Sequence, residues 1–141
     1  MAGKYGSASL TVAVDDGPGG TARTVTGHIL STSGHKLSSI LEIATAFGVA
    51  FEASLPVGLK KVDPITLEGF WDTTATTGPH VVFGDPDDGP QDSTRTVTFG
   101  YGDSKTFSGE AYLESYEVMP SVGALTRFRA VLQPTGTWAW A

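Results

Sequence analysis

Apolar and polar residues alternate along the last third of the chain in a way that predicts a long β-hairpin. The apolar positions of the first strand are Phe107, Ala111 and Leu113, and the polar positions between them are Ser108, Glu110, Tyr112, Glu114 and Tyr116. After a break at residues 120–123, apolar Phe128, Ala130 and Leu132 alternate with polar Arg127, Arg129 and Gln133. Successive side chains of a strand point to opposite faces, so we expect each strand to have one apolar and one polar face.

The break also predicts how the two strands pair. One register brings apolar residues opposite each other and, at the same time, sets carboxylates beside guanidinium groups. The pairs expected from it are Leu113 with Ala130, Ser115 with Phe128, Glu114 with Arg129, and Tyr116 with Arg127.

The same period of two recurs earlier in the chain. Residues 9–14 alternate, the sequence DDGPGG at 15–20 is rich in turn-forming residues, and residues 23–32 resume a Thr-rich strand. This pattern predicts a first hairpin. Further strands are expected at 65–71 and 94–101, and the second of them turns at 102–103 into the long hairpin.

Two stretches do not follow the strand pattern. Residues 39–45 remain undecided, although Ser39 and Glu42 fit a helix capping box and Leu37, Ile40, Leu41 and Ala44 have helical spacing. Residues 72–93 are long for a plain loop. Pro79 suits a first helical position and Gly84 a helix end, which predicts one helical turn at 80–83. The remainder of this segment carries the acidic residues Asp85, Asp87, Asp88 and Asp92.

Length and composition narrow the class of protein. The 141 residues, without a repeat or a linker, indicate a single domain over 1–141. Many strands and one short helix predict an all-β fold with minor α content. We expect an antiparallel β-sandwich or barrel, flanked by the helix, with the long hairpin and the loop available for subunit assembly.

Charge and hydropathy bear on location and partners. The formal net charge of −6 argues against tight binding to a phosphate backbone. No signal peptide is recognised, and the longest apolar-biased run, residues 39–55, is too short and too polar to cross a membrane. The sequence therefore predicts a soluble protein made in a cytoplasm.

The residues that carry chemistry in enzymes show no catalytic pattern here. The three histidines stand singly, and the chain has no cysteine, so neither a metal site nor a cofactor is expected. The stretch 85–89 resembles a calcium loop only loosely, because its glycine is fifth rather than sixth, and a solvated acidic loop is the simpler interpretation. Glu110 and Glu114 share a strand face, for which cross-strand ion pairing is a simpler account than glycosidase chemistry.

Three stretches carry a resemblance to a known family. The C-terminal hairpin of siphophage-type tail tube proteins resembles the stretch at 114–136, ESYEVMPSVGALTRFRAVLQPTG. The same family pattern fits ATAFG at 44–48 followed by LPVGLKKVDPITLEGFWDT at 55–73, and it fits TTGPH at 76–80. The resemblance runs from about residue 37 to 136. It places a strand up to residue 45, a turn at Gly48, and a short helix at 49–55 with Phe51 and Leu55 facing inward.

The resemblance implies a structural protein without enzymatic activity. Copies of such a protein assemble as hexameric rings, and the rings stack into a hollow conduit for genome delivery into the host. It implies the chain itself, the tape measure, the tail terminator and distal tail proteins as partners, with DNA passing through unbound and no membrane contact. The implied location is the virion tail, assembled in the cytoplasm of the bacterial host.

Two surfaces become candidates for assembly on this interpretation. The polar hairpin face, as lumen or assembly face, comprises Glu110, Tyr112, Glu114, Tyr116, Arg127 and Arg129. The acidic loop, with Asp85, Asp87, Asp88 and Asp92, is expected to reach a neighbouring subunit and meet Lys60, Lys61 or Arg95.

An alternative function stays open from the residues alone. A β-sandwich module that binds carbohydrate or acts as an adhesin is supported by Trp138 and Trp140, which share one face of a terminal strand, together with Tyr112 and Tyr116.

Overall fold

The computed structural model describes residues 6, 9–16, 20–43, 48, 51, 53–75, 77–84 and 94–141. The strands are β1 (Thr11–Asp15), β2 (Ala22–Thr24), β3 (Ile29–Ser33), β4 (Leu37–Ile43), β5 (Ser54–Val62), β6 (Ile65–Phe70), β7 (Arg95–Gly102), β8 (Lys105–Met119) and β9 (Arg127–Trp140). A 3₁₀ turn covers Thr26–His28, and the helix α1 covers Pro79–Phe83.

Seven strands form one antiparallel sheet that curls into a half-barrel. Its strand order is β2-β1-β7-β8-β9-β6-β3, and β4 and β5 form a separate two-stranded sheet. The prediction of an all-β fold with minor α content is confirmed. The predicted strands at 65–71 and 94–101 correspond to β6 and β7, and the predicted helical turn corresponds to α1, with Pro79 in its first turn and Gly84 after its end.

The concave side of the sheet holds the core, and α1 covers part of it. The buried apolar side chains of the strands are Val12, Val14, Ile65, Leu67, Val97, Phe99, Phe107, Ala111, Leu113, Phe128, Ala130, Leu132 and Trp138. From the helix, the buried Phe83 ring stacks 6.0 Å from Phe128.

Arg95 is only 1% exposed, and its Nη1 donates hydrogen bonds to the carbonyl oxygens of Val82, at 2.8 Å, and Asp15, at 3.3 Å. This buried guanidinium group therefore joins α1 to the end of β1.

The predicted register of the long hairpin is wrong. The structure pairs Leu113 with Leu132, not with Ala130, and it pairs Glu117, not Glu114, with Arg129. A bulge between Leu113 and Ser115 leaves two consecutive residues exposed. An extra residue in one strand exchanges the faces of everything beyond it. Alternation alone, which is satisfied by any shift of two, does not specify the register.

The bulge also moves Tyr116 away from the face on which we expected it. Beyond the bulge this side chain turns toward the core and packs 6.2 Å from the Phe83 ring and 6.2 Å from the Phe128 ring. Its hydroxyl oxygen lies 3.1 Å from Nδ1 of His80. Tyr116 therefore does not share a face with Glu110 and the other polar residues of β8.

The first hairpin is confirmed for β1 and β2, which pair Val14 with Arg23. A continuous strand over 23–32 is wrong, because the 3₁₀ turn at Thr26–His28 interrupts it. The Thr26 hydroxyl accepts a hydrogen bond from the backbone N–H of Val12 at 2.9 Å. This turn sends β3 to the opposite edge of the sheet, where it pairs with β6.

The segment that was undecided between helix and strand is a strand up to Ile43, as the resemblance implied, and residues 44 and 45 lie outside the described part. The short helix expected at 49–55 is wrong where it can be checked. Leu55 belongs to strand β5 and is 55% exposed, and Phe51 is 84% exposed rather than facing inward. Residues 49, 50 and 52 lie outside the described part. Pairing with β4 decides the conformation of β5, and local spacing does not report that pairing.

Candidate assembly surface

Strands β4 and β5 form a hairpin, called the arm below, that stands apart from the seven-stranded sheet. Its exposed large apolar side chains are Ile40, Leu41, Ile43, Leu55, Val57 and Leu59. An isolated two-stranded hairpin is marginally stable in water. Six exposed large apolar side chains on one hairpin are typical of an interaction site.

Both faces of the arm carry apolar side chains. Side chains alternate along a strand, so Leu41 and Ile43 lie on one face of β4 and Ile40 lies on the other with Glu42. Glu42 stands directly opposite Leu55 across the hairpin. A partner surface on one side of the arm therefore leaves the apolar side chains of the other face in water. Burying both faces requires a contact on each side of the hairpin.

The root of the arm is anchored to the half-barrel through His35. Its Nδ1 lies 2.6 Å from the hydroxyl oxygen of Tyr101, and its Nε2 lies 2.8 Å from Oγ1 of Thr32. The imidazole ring also packs against Phe99, with 4.0 Å between ring centroids. Burial lowers the pKa of His35 below its ordinary value, because the charged form loses hydration there.

Close backbone packing completes this root. Gly34 has φ +91°, and a Cβ at this position would lie 2.2 Å from the carbonyl oxygen of Pro64, in the segment between β5 and β6. Only glycine fits both the conformation and the contact. The two chain segments that lead into and out of the arm are therefore held close together.

The outer face of β8 carries three of the predicted assembly residues. Glu110 accepts a hydrogen bond from the Thr96 hydroxyl at 2.9 Å, and Tyr112 and Glu114 are exposed on either side of the buried Leu113. Arg129 is neutralised by Glu68, whose carboxylate lies 2.6 Å from its Nε, and not by Glu114 as expected. The structure thus keeps Glu110, Tyr112 and Glu114 on one face.

Arg127, the remaining member of the predicted face, lies at the start of β9. Its guanidinium carbon is 6.0 Å from the centre of the Phe70 ring. It forms no ion pair with any carboxylate in the described part of the chain.

The acidic residues Asp85, Asp87, Asp88 and Asp92 lie outside the described residues, so their predicted contacts remain predictions. Arg95, one of their expected partners, is buried and donates to backbone carbonyl oxygens of its own subunit, and its contact with these residues also remains a prediction. Lys60 and Lys61 are both exposed near the root of the arm, opposite Ser39 and Ser38.

The aromatic residues that favoured carbohydrate binding do not form one platform. Trp138 is 5% exposed, and its indole N–H donates to the Glu110 carbonyl at 2.9 Å. Tyr116 faces the core, and Tyr112 lies on the outer face. Trp140 is 54% exposed and stacks on Phe107 with centroids 4.1 Å apart. Of these four residues, Trp138 and Tyr116 serve the core.

The described residues contain no group of three His, Asp or Glu side chains placed to hold a metal ion. Only two such groups of the described part meet at His28 and Asp72, where 3.9 Å separates Nδ1 of His28 from the Asp72 carboxylate. Among the described helices none has the length and apolar character needed to cross a membrane.

Comparison with known proteins gives a match at the level of the fold. No family model and no curated protein matches the sequence. The chain is similar to one from the extended sheath–tube complex of an extracellular contractile injection system, PVC, with 14% identity, a TM-score of 0.69, and coverage of 98% of this chain and 91% of that one. It is similar to one from the C6-symmetric tail of a gene transfer agent particle, with 12% identity, a TM-score of 0.69, and coverage of 98% and 99%.

The chain has the tail-tube fold. A third similar structure belongs to the six-fold symmetrised baseplate of the anti-feeding prophage, with 11% identity, a TM-score of 0.60, and coverage of 100% of this chain and 97% of that one. In the first two comparisons the unmatched 2% is about three of the 141 residues, fewer than the seven of β4 and nine of β5. Both matches therefore extend over nearly the whole length of the chain.

Sequence reasoning missed the arm and its anchor at His35. The signal for the arm was present in the apolar positions 55, 57 and 59, which alternate as a strand does. His35 gave no local signal, since its partners Tyr101 and Phe99 are more than sixty residues away.

Proposed function

We propose that this protein is the structural subunit of a bacteriophage tail tube, a non-enzymatic protein whose copies form hexameric rings. The rings stack into a hollow conduit through which the genome passes into the host. The observation that carries the proposal is an arm with apolar side chains on both faces, projecting from a protein with the tail-tube fold. The six-fold symmetry stated for the gene transfer agent tail and for the prophage baseplate supports a six-membered ring.

Self-association through the arm follows from its surface. The arm and the sheet are different patches of one molecule, so a contact between the arm of one copy and the sheet of the next is heterologous. Heterologous contacts close into rings when the rotation between copies closes, and they extend into filaments when the copies also advance along an axis. The same kind of contact therefore builds both a ring and a stack.

The outer face of β8 is proposed to line the channel with Glu110, Tyr112 and Glu114. Duplex DNA is densely anionic, and a wall of unpaired cations would hold its phosphates. Six copies of −6 each carry a formal charge of about −36, which repels DNA. Pairing of Arg129 with Glu68 supports this role, because it removes one cation from that side of the sheet.

The partners of such a subunit are other copies and the proteins at the two ends of the tail. The similar structures include a sheath–tube terminator complex and a baseplate, which supports a place between such components. We infer that the tape measure, the tail terminator and distal tail proteins contact the tube, that the virion tail is its location, and that assembly occurs in the bacterial cytoplasm.

Electron microscopy of the purified protein tests the proposal. Negative-stain images across a concentration series are expected to show rings or tubes, and class averages viewed down the axis are expected to show six-fold symmetry. A uniform population of monomers at every concentration would contradict self-association, and closed rings with another symmetry would contradict the hexamer.

A further inference from the structure

A groove opens beside the turn between β8 and β9 and has a mixed apolar and cationic lining. Its volume is about 530 Å³. Its lining includes Leu30, Met119, Leu125 and Arg127, together with Glu68 and Arg129. We call it the turn groove. Leu30 and Leu125 are exposed, although both are large apolar side chains.

The turn groove offers one cation without an ion-pair partner among the residues that the structure describes. Glu68 and Arg129 pair with each other at 2.6 Å. Arg127 has the Phe70 ring 6.0 Å away and no carboxylate partner among the described residues. The groove is thus suited to a carboxylate flanked by apolar side chains.

One face of the arm has this composition. Glu42 is the sole carboxylate within the bounds of β4 and β5. On its face of the hairpin lie the exposed Ile40, two positions before it, and the exposed Leu55, directly opposite. Glu42 forms no ion pair with any residue that the structure describes.

We propose that the Glu42 face of the arm of one copy docks in the turn groove of the neighbouring copy. The Arg127 guanidinium group donates hydrogen bonds to the Glu42 carboxylate, and Ile40 and Leu55 pack against Leu30 and Leu125. This inference rests on the proposed self-association and specifies which surfaces meet. It also neutralises a second cation on the channel side of the sheet, since Arg127 gains a carboxylate partner that the described part of its own chain does not supply.

Charge reversal tests the pairing. Glu42→Arg and Arg127→Glu each place like charges together, so each single variant is expected to raise the protein concentration needed for tube formation by about tenfold or more. The double variant restores opposite charges and is expected to return within about threefold of the original concentration. Lys105→Glu, a charge reversal at an exposed position outside the arm and the turn groove, is the control and is expected to leave assembly unchanged. Matching melting curves of the variants before assembly establish that folding is intact.

The outcomes separate this inference from the proposed function. If the unaltered protein forms tubes and both single variants do so equally well, the pairing is wrong while the tail tube function stands. Failure of the double variant to recover, with both singles impaired, also overturns the pairing. If the unaltered protein forms no assembly at all, the proposed function itself fails.

Cross-linking gives a second readout that does not depend on charge. The chain has no cysteine, so every disulfide is an introduced one. A Glu42→Cys, Leu125→Cys double variant oxidised after assembly is expected to give a ladder of covalent oligomers on a non-reducing gel. Each single cysteine variant is the control and is expected to stay monomeric. A ladder equally strong from Glu42→Cys alone would place two arms together and overturn the arm-to-groove contact.

Discussion

At the scale of single residues, Gly109 and Trp138 make a close contact in the part of the long hairpin that is farther from its turn. The register between β8 and β9 shifts between Ser108 and Glu110, so that β9 has extra residues there. Gly136 in this region has φ +69°. The indole of Trp138 crosses the backbone of Gly109 and packs 5.0 Å from Phe107. The two extra residues preserve the alternation of β9, so Trp138 stays on the buried face of Phe128, Ala130 and Leu132.

Gly109→Ala is predicted to destabilise the protein. The added Cβ would lie 2.5 Å from the Trp138 indole, so the buried ring must move, at a cost of about 1–3 kcal/mol. Urea denaturation measures the free energy of unfolding. Gly27→Ala, where the added Cβ meets nothing within 4 Å, is the matched control and should change stability much less. Equal effects at the two positions would show that the Trp138 contact is not decisive.

His35 gives the stability a dependence on pH. Burial lowers its pKa in the folded protein below the ordinary value of 6.5, so the unfolded chain binds the proton more readily. Its contribution is therefore complete above about pH 6.5 and is lost as the pH falls through the folded-state pKa. The strands packed against it supply Thr32, Phe99 and Tyr101, none of them ionised in this range, and the charged groups nearest in sequence to the root are Lys36 and Asp63.

We predict that His35→Gln flattens the pH profile between 7.5 and 5.5. Glutamine keeps hydrogen-bonding groups at this position but cannot take up the proton. Urea denaturation of both proteins at several pH values measures the difference, with the unaltered protein losing more stability on acidification. Parallel profiles would show that the protonation of His35 is not coupled to folding.

At the scale of elements, the arm and the half-barrel have separate sources of stability. The half-barrel buries a continuous apolar core, whereas the arm exposes nearly all of its residues. Only its root joins the core, where Leu37 and Val62 pair with each other and pack against buried residues. The arm is therefore expected to contribute little to folding of the single copy and much to contact between copies.

Replacing residues 38–61 by a short Gly-Ser linker tests that separation. The truncated protein keeps Leu37 and Val62, and the linker closes a shorter loop, so we predict a cooperative melting transition within a few degrees of the original. Circular dichroism measures the transition, and electron microscopy is expected to show no rings or tubes. Tubes formed without the arm would exclude it as an assembly element, and loss of the melting transition would show that it supports the core.

At the scale of the whole molecule, the distribution of charge belongs with the proposed passage of DNA. The exposed carboxylates Glu110 and Glu114 stand on one face of the sheet, and Arg129 is already paired by Glu68. Exposed charges of this kind act collectively and are screened by salt. They affect what passes along the surface more than they affect folding.

Particles carrying Glu110→Lys and Glu114→Lys are predicted to assemble but to deliver their genome less efficiently, with the larger defect at low salt. Each lysine adds a contact for phosphate on the proposed channel wall. Delivery is measured as genome transfer per assembled particle, counted by microscopy. Particles carrying Glu110→Gln and Glu114→Gln, which lose the two negative charges without gaining a cation, provide the comparison. Equal delivery by lysine-bearing and unaltered particles would exclude this face from the channel or its charge from the mechanism.

The elements that the sequence predicted correctly share a local cause. Strand alternation in β6 and β7 and the Pro79 and Gly84 boundaries of α1 are effects of neighbouring residues, and the structure confirms them. Alternation placed Glu110 and Tyr112 correctly, because both precede the bulge, and the exposed Glu114 lies in the bulge itself.

The wrong predictions have a non-local cause. Tyr116 turns inward because a bulge intervenes, and the spacing of the flanking apolar residues fits either register. The predicted helix at Leu55 failed because that segment pairs with β4 across a hairpin that exposes both faces. The sequence pattern of a hairpin with apolar residues on both faces cannot be distinguished from that of a segment buried in the core.

The sequence by itself determined that this is an all-β chain with one helical turn, with a paired C-terminal hairpin and no catalytic pattern, because period, turn chemistry and composition act over a few residues. Only the tertiary structure decided the register of that hairpin, the burial of Arg95 and Trp138, and the separation of the arm from the core. Each of these depends on which distant segment lies across a sheet. The free energy that selects one partner over another is a property of the packed molecule and not of any short stretch of its sequence.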